Sequence, residues 1–159
     1  MFLRRRAAAI KEEKMETVVK KIDELTGAEL YELLRVRAEV FVVEQNCAYQ
    51  DLDGVDYDAY HVFLQENGKI LAYLRVVDKG KRLDEVSIGR VISLRRRQGL
   101  GGKLMQAGLR VAKEKFGAKT VKVGAQVYAK PFYESVGFSQ ISGEYLEDGI
   151  PHIYMSREV

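Results

Sequence analysis

An apolar strand that runs into a basic, glycine-rich turn and then into a helix constrains this chain more than any other feature in it. The stretch is Ile88-Gly89-Arg90-Val91-Ile92-Ser93-Leu94-Arg95-Arg96-Arg97-Gln98-Gly99-Leu100-Gly101-Gly102-Lys103-Leu104-Met105. Small residues let several backbone N–H groups converge on one point. The first turn of the helix adds its own unpaired N–H groups and the positive end of its dipole. The product is an anion site suited to a phosphate or pyrophosphate. Arg95, Arg96, Arg97 and Lys103 add charge for further phosphate groups. Two familiar phosphate motifs are excluded. A P-loop needs G-x-x-x-x-G-K-[ST], but Arg97 stands at its first glycine and Leu104 at its hydroxyl. A dinucleotide loop needs G-x-G-x-x-G, and Leu104 occupies its third glycine. An ordinary helix-capping turn with surface arginines is the competing reading.

The surroundings are those of one globular domain. A chain of 159 residues buries roughly 68–70% of its unfolded surface. With 47% hydrophobic and 31% charged residues it is not broadly disordered. The single cysteine, Cys47, rules out a disulfide scaffold. No run approaches the ~20 apolar residues of a membrane span, so a soluble, cytoplasmic protein without membrane partners is expected. The formal charge of +3 is too mild to argue for nucleic acid. The aromatics near Arg95–Arg97 also form no stacking platform, so no nucleic-acid partner is expected. Arg4-Arg5-Arg6 is followed by only a short apolar run before Lys11, so no signal peptide is read. Residues 1–14 are expected to be an N-terminal extension, poorly ordered or accessory, and 15–159 the folded domain.

Local patterns order the elements. Thr17 to Ile22 alternates β-branched and charged residues, as a strand does. Thr26-Gly27-Ala28-Glu29 has the spacing of a capping box, and Leu30, Leu33, Leu34, Ala38 and Phe41 follow at helical spacing, predicting one long amphipathic helix. Asp51 to Asp58 is an acidic, turn-rich segment expected to be solvated. Its glycine is misplaced for an EF-hand. It is expected to draw a cationic amine toward the site. His61–Gln65, Asn67-Gly68 and Ile70–Val77 read as a hairpin, and Val86–Ser93 as the next strand. A second helix is expected over 99–116, a short strand over 120–124, and a short helix over 128–136. Strands near 139–145 and 152–157 are split by Asp148-Gly149. The order β-α-β-β-β-α-β-α-β-β describes an α/β domain with a mostly antiparallel first half.

Arg96-x-x-Gly99-x-Gly101 matches the [R/Q]-x-x-G-x-[G/A] signature of acetyl-CoA-binding N-acetyltransferases. With Val40–Cys47, Val86–Val91, Phe132–Phe138 and Tyr145–Ile153, it makes the chain resemble the GNAT superfamily, and within it the ElaA-type acetyltransferases, over about residues 15–157. The resemblance implies the acyl-CoA N-acyltransferase fold, a mixed and mostly antiparallel central sheet flanked by helices, with a V-shaped opening between two central strands. Acetyl-CoA would be the co-substrate, with no metal. The strand ending Val91-Ile92-Ser93 would pair with the pantetheine arm. The turn Arg96, Arg97, Gln98, Gly99, Leu100, Gly101 and Gly102 would hold the pyrophosphate. Gln126 stands near an asparagine position common in the family, and Tyr133 at its general-acid position. A small-molecule or peptide amine is the implied acceptor, and the β-rich C-terminal segment is a candidate homodimer edge. The alternative is a catalytically silent acyl-CoA sensor of the same fold.

Direct transfer from a thioester to an amine needs a proton acceptor, an oxyanion stabiliser and a partner for the leaving thiolate. Backbone N–H groups near Val91–Ser93 suit the second role. Tyr133 suits the third, against a competing role in core packing with Phe132 and Phe138. For the first, Glu44 is the candidate if it is buried against Phe41 and Val43, against a salt bridge to Arg37 or Arg90. His61 is the second candidate. His152 reads mainly as a satisfied strand residue. Cys47 has no recognised Cys-His pattern to make it a nucleophile.

Overall fold

The computed structural model describes residues 14–94 and 99–159. The expected extension, save Lys14, and the turn residues Arg95, Arg96, Arg97 and Gln98 lie outside the described residues. The strands are β1 (Glu16–Lys20), β2 (Tyr60–Glu66), β3 (Lys69–Val77), β4 (Val86–Ser93), β5 (Thr120–Gln126), β6 (Ser139–Gln140), β7 (Tyr145–Glu147) and β8 (Ile150–Glu158). The α-helices are α1 (Gly27–Arg37), α2 (Leu100–Phe116) and α3 (Lys130–Ser135). One sheet runs β1-β2-β3-β4-β5-β8-β6, with β7 also on β8. Only β4 and β5 pair in parallel; every other neighbouring pair is antiparallel.

Local chemistry sets several of these elements. The Thr26 side chain accepts from the Glu29 N–H at 3.1 Å, and Glu29 accepts from the Thr26 N–H at 2.9 Å, closing the capping box at the start of α1. Asn67 and Gly68 (φ 51° and 71°), and Asp148 and Gly149 (50° and 76°), take the left-handed values that match hairpin twist. These two turns join β2 to β3 and β7 to β8.

The sheet is covered differently on its two faces. α2 packs on one face, where Leu104, Met105 and Leu109 join Leu74, Ile88, Val121 and Val123. Gly108 permits the approach, since a Cβ there would lie 2.9 Å from Leu74 Cδ2. α1 packs on the other face, burying Leu33 and Val36 with Phe63, Tyr73 and Ile92. Among the described residues no helix is long and apolar enough to cross a membrane.

Three expectations are corrected. The long first helix is α-helical only to Arg37 and continues as a π-helical segment, Ala38–Glu44. Val40, Val42 and Val43 fall there, where β-branched side chains crowd an α-helical surface. The strand expected near 139–145 is two short strands. Between them, the Tyr154 N–H donates to Ser142 Oγ at 2.8 Å, so a side chain replaces a ladder carbonyl. The third correction concerns the acidic segment, which is not a solvated turn. Asp51 (8% exposed) and Asp56 (7%) are buried with the fully buried Arg37 and Arg75. Arg37 bonds Asp51 at 3.0 Å and Asp56 at 2.6 Å; Arg75 bonds Asp53 at 2.6 Å and Asp56 at 2.9 Å; Arg90 bonds Asp51 at 2.8 Å. Three carboxylates are thus matched by three guanidinium groups. Asp53 is ion-paired but stays partly exposed at the cleft, and Asp58, at the outer end, is well exposed. The charge of Asp51 and Asp56, expected to attract an amine, is consumed inside the protein.

Candidate active site

The parallel pair β4–β5 is joined at only two positions, Val86 with Val121 and Ser87 with Lys122. Beyond them the strands diverge. Strand β4 also contains a bulge: Arg75 pairs with Gly89 but Tyr73 pairs with Ile92, so β4 has one residue more than β3 over that span. Arg90 takes φ +53°, unusual for a non-glycine residue. Its side chain fixes it there through Asp51 Oδ1 at 2.8 Å and the Asp51 carbonyl at 3.1 Å. An extra residue reverses the facing of all that follow. Ile88 therefore packs with α2, whereas Ile92 packs with α1.

The divergence opens a cleft of about 1340 Å3 that passes between the two halves of the sheet. On the α2 side it is lined by Gly99, Leu100, Gly101, Gly102, Phe132 and Tyr133, and along β4 by Val91, Ile92 and Ser93. Gly99, at φ +70°, caps α2 in the left-handed conformation. Gly101 is needed for packing, since its Cβ would lie 3.0 Å from Phe132 Cε2. A Cβ on Gly102 would meet nothing within 4 Å among the described residues. The start of a 17-residue helix thus faces the cleft with backbone exposed, an arrangement that suits a pyrophosphate. No strand of the described residues pairs with the β5-facing edge of β4 beyond Ser87, so that edge faces the cleft, where an extended chain such as a pantetheine arm would add as a strand does.

Tyr133 is 7% exposed. Phe132 and Phe138 meet its ring edge-on at centroid distances of 5.2 and 5.8 Å. It both packs in the core and lines the cleft, so the two readings of the sequence are compatible. Burial, with Tyr128 nearby, pushes its phenol above the usual tyrosine range.

The other predicted residues divide. Gln126 lines the cleft at the end of β5, opposite His152 in register. Glu44 lines it at the end of the π-helical segment, but its side chain is exposed rather than buried against Phe41 and Val43, so the premise for its role as a base is missing. Arg37 and Arg90 direct their charges to the aspartates instead. His61 is away from the cleft and fully buried, and burial lowers its pKa despite the nearby Asp56. Its Nε2 donates to the Asp56 carbonyl at 3.0 Å, leaving Nδ1 to accept from the Tyr73 hydroxyl at 2.7 Å. Cys47 lies in the cleft wall, with Sγ 3.7 Å from the Asp148 carbonyl oxygen.

Sequence reading assigns no site role to Arg82, Tyr145, Glu147 or Tyr154 and reads His152 mainly as a strand residue, yet all five line the cleft on the face opposite α2. The signal was available, because a two-residue turn at Asp148-Gly149 places Glu147 opposite Ile150 and Tyr145 opposite His152, as observed.

Comparison with known proteins agrees with this geometry. The acetyltransferase (GNAT) domain family matches residues 8–159. Protein ElaA of Escherichia coli is 44% identical over 140 residues, 86% of this chain and 92% of ElaA. A UPF0039 protein of Schizosaccharomyces pombe is 42% identical over 149 residues, 91% of this chain and 98% of that protein. The crystal structure of Escherichia coli ElaA superposes with a TM-score of 0.84 at 40% identity, covering 91% of this chain and all of that one. An acyl-CoA N-acyltransferase from Pseudomonas aeruginosa gives 0.82 at 42% identity, covering 89% and 99%.

Proposed function

The chain belongs to the GNAT acetyltransferase family, and from that premise we propose that it moves the acetyl group of acetyl-CoA directly to an amine of a small molecule or peptide in the cytoplasm. The observation that carries the reading is the divergence of β4 from β5 after two paired positions. It opens one cleft to both the glycine-rich start of α2 and the polar far wall.

The chain's own groups divide the work. The α2 N-terminus and Gly102 receive the pyrophosphate, with Arg96, Arg97 and Gln98 of the preceding turn expected to add contacts. The cleft-facing edge of β4 at Val91–Ser93 aligns the pantetheine arm, and an N–H on that edge stabilises the carbonyl oxygen as charge develops. Gln126 flanks the arm from β5. Glu44, exposed at the cleft wall, adds negative charge on the acceptor's path.

Tyr133 donates a hydrogen bond to the departing sulfur. Its phenol lies above the ordinary value of about 10, and a thiol ionises at about 8.5. Against these reference values transfer from the phenol is uphill by about 2 kcal/mol, and the burial that raises the phenol also raises the thiol of a departing CoA. Tyr133 thus acts as the general acid, hydrogen-bonded to sulfur as the carbon–sulfur bond breaks, and the amine's second proton replaces any proton it gives up.

The test is thiol release from acetyl-CoA across a panel of amines, with acetyl-CoA affinity measured in parallel by calorimetry. Amine-dependent release is expected. Tight acetyl-CoA binding with release at background for every amine would identify a sensor instead.

A further inference from the structure

The hairpin β7–β8 puts a histidine and a carboxylate side by side in the cleft. His152 is 7% exposed. Its Nδ1 is 2.7 Å from the Ile150 carbonyl oxygen, which can only accept. Nδ1 therefore carries a hydrogen, and the lone pair of a neutral ring lies on Nε2. That nitrogen is 3.3 Å from Glu147 Oε2. The other Glu147 oxygen accepts from Arg82 Nη2 at 2.9 Å, which holds the carboxylate in place. Tyr145 covers the imidazole at 5.8 Å between centroids and stacks on Tyr154 at 4.6 Å. Gly124, opposite Tyr154 on β5, makes room for this stack, since a Cβ there would lie 3.0 Å from the Tyr145 hydroxyl.

Two acceptors this close repel unless a proton or a cation lies between them. A single ammonium group bridges both with two of its three N–H bonds. We propose that Glu147 and His152 form the acceptor subsite, that the pair selects a primary ammonium group, and that His152 Nε2 takes the proton that frees the amine. The proposal rests on the acetyl-transfer reading for its chemistry, but the ammonium site rests on geometry alone.

The protons and electrons balance. One proton passes from the ammonium nitrogen to His152 Nε2. The imidazolium then donates to Glu147 Oε2 and to the Ile150 carbonyl. The freed nitrogen lone pair bonds to the acetyl carbon as the carbon–sulfur bond breaks, and the electron pair of that bond leaves on sulfur. The nitrogen's second proton goes to sulfur by way of Tyr133, giving the thiol, and His152 returns its proton to water. An alcohol has one O–H and no charge, and cannot bridge the pair.

The experiment uses the full chain loaded with CoA, titrated by calorimetry with 2-phenylethylamine, n-butylamine and the corresponding alcohols. The amines are expected to bind at least tenfold more tightly than the alcohols. Glu147→Gln should weaken amine binding at least tenfold and move the CoA affinity less than twofold, and Glu147→Asp should restore part of the loss. His152→Asn keeps a donor for the Ile150 carbonyl. It should lower kcat/KM for the amine roughly 100-fold at pH 7 and remove the acid-side fall of kcat that a base at this position requires of the wild type with saturating amine. The charged or titratable groups around His152 include Tyr145 and Glu147 of β7, Tyr154 of β8 and Arg82 of the β3–β4 loop; β5 faces it with Gln126, and Glu44, Cys47, Tyr128 and Asp148 line the same cleft. Amine binding unchanged in Glu147→Gln, alcohols that bind as well as amines, no amine binding at all, or an unchanged pH profile in His152→Asn would each overturn the proposal. Glu147-dependent amine binding with no thiol release would instead retire the acetyl-transfer reading and leave the ammonium site standing.

Discussion

Asp56 lies between two buried guanidinium groups, 2.6 Å from Arg37 Nη1 and 2.9 Å from Arg75 Nη1. Replacing it with Asn would leave two buried cations short of a counter-charge, a change worth about 3–5 kcal/mol. Urea denaturation should report a loss of that order, with the midpoint shifted and the slope unchanged. The same cluster sets the response to acid. Burial works against the ionised forms of Asp53 and Asp56, but hydrogen bonds and charge from Arg75 and Arg37 override it and hold both carboxyls below the usual range. Their folded pKa values are depressed, so the unfolded chain takes up protons first as pH falls. Their stabilisation is therefore full above about pH 5, declines below the unfolded value of about 3.9, and is gone once pH passes the folded values. Melting temperature measured from pH 7 to pH 3 should be flat and then fall. Tyr133 makes a different prediction at this scale. Tyr133→Phe should lower kcat about 10- to 100-fold while leaving acetyl-CoA affinity nearly unchanged, since only the O–H is lost. Because its phenol is pushed upward by burial, no loss of activity from its ionisation is expected up to pH 10. A pH–rate profile of the wild type against the variant checks both statements.

At the scale of elements, what could be read from sequence was what neighbours in the chain decide. The capping box at Thr26–Glu29, the hairpin turn at Asn67-Gly68 and the left-handed Gly99 that caps α2 each lie within a few residues, and each forms as local chemistry requires. The β4 bulge and the aspartate–arginine cluster were not legible. Arg37 reaches Asp56 across 19 positions and Arg90 reaches Asp51 across 39, and no periodicity encodes such pairings. Charge alone made Asp51, Asp53 and Asp56 look solvated. The glycines at the start of α2 show how function and packing share one element. A Cβ on Gly101 would crowd Phe132, whereas one on Gly102 would meet nothing within 4 Å among the described residues. Gly102→Ala should leave the protein as stable or more so, by up to about 1 kcal/mol, because Ala favours helix over Gly. It should nevertheless weaken acetyl-CoA binding at least tenfold, because the methyl group occupies the space the pyrophosphate needs. Thermal melts with and without acetyl-CoA, beside calorimetry, separate the two effects.

Across the whole molecule, the sheet of the described residues is two halves joined along one short seam. Strands β1 to β4 form one half and β5 to β8 the other, and the strand pairing between them is limited to Val86–Val121 and Ser87–Lys122. α2 ties the halves on one face through a shared core that includes Ile88, Val121 and Val123. On the opposite face the halves approach through thinner contacts, such as Cys47 with the Asp148 carbonyl. A ligand that lies along β4 and reaches β5 therefore takes the place of the missing strand pairing. Binding restricted to the folded state stabilises it by about 2.7 kcal/mol at a ligand concentration of 100 Kd. For a domain of this size that raises the melting temperature by about 5–10 °C. The location of the effect is the stronger test. Hydrogen exchange in the presence of acetyl-CoA should slow most at the β4 amides that point toward β5, Val91 foremost, and at the first turn of α2, because these N–H groups gain acceptors. The Ile92 N–H faces Tyr73 on β3 and should change less. Amides of β1, at the far edge, should change only as much as global stability requires. Slowing spread evenly over all strands would mean that the ligand stabilises the fold without occupying the gap between β4 and β5.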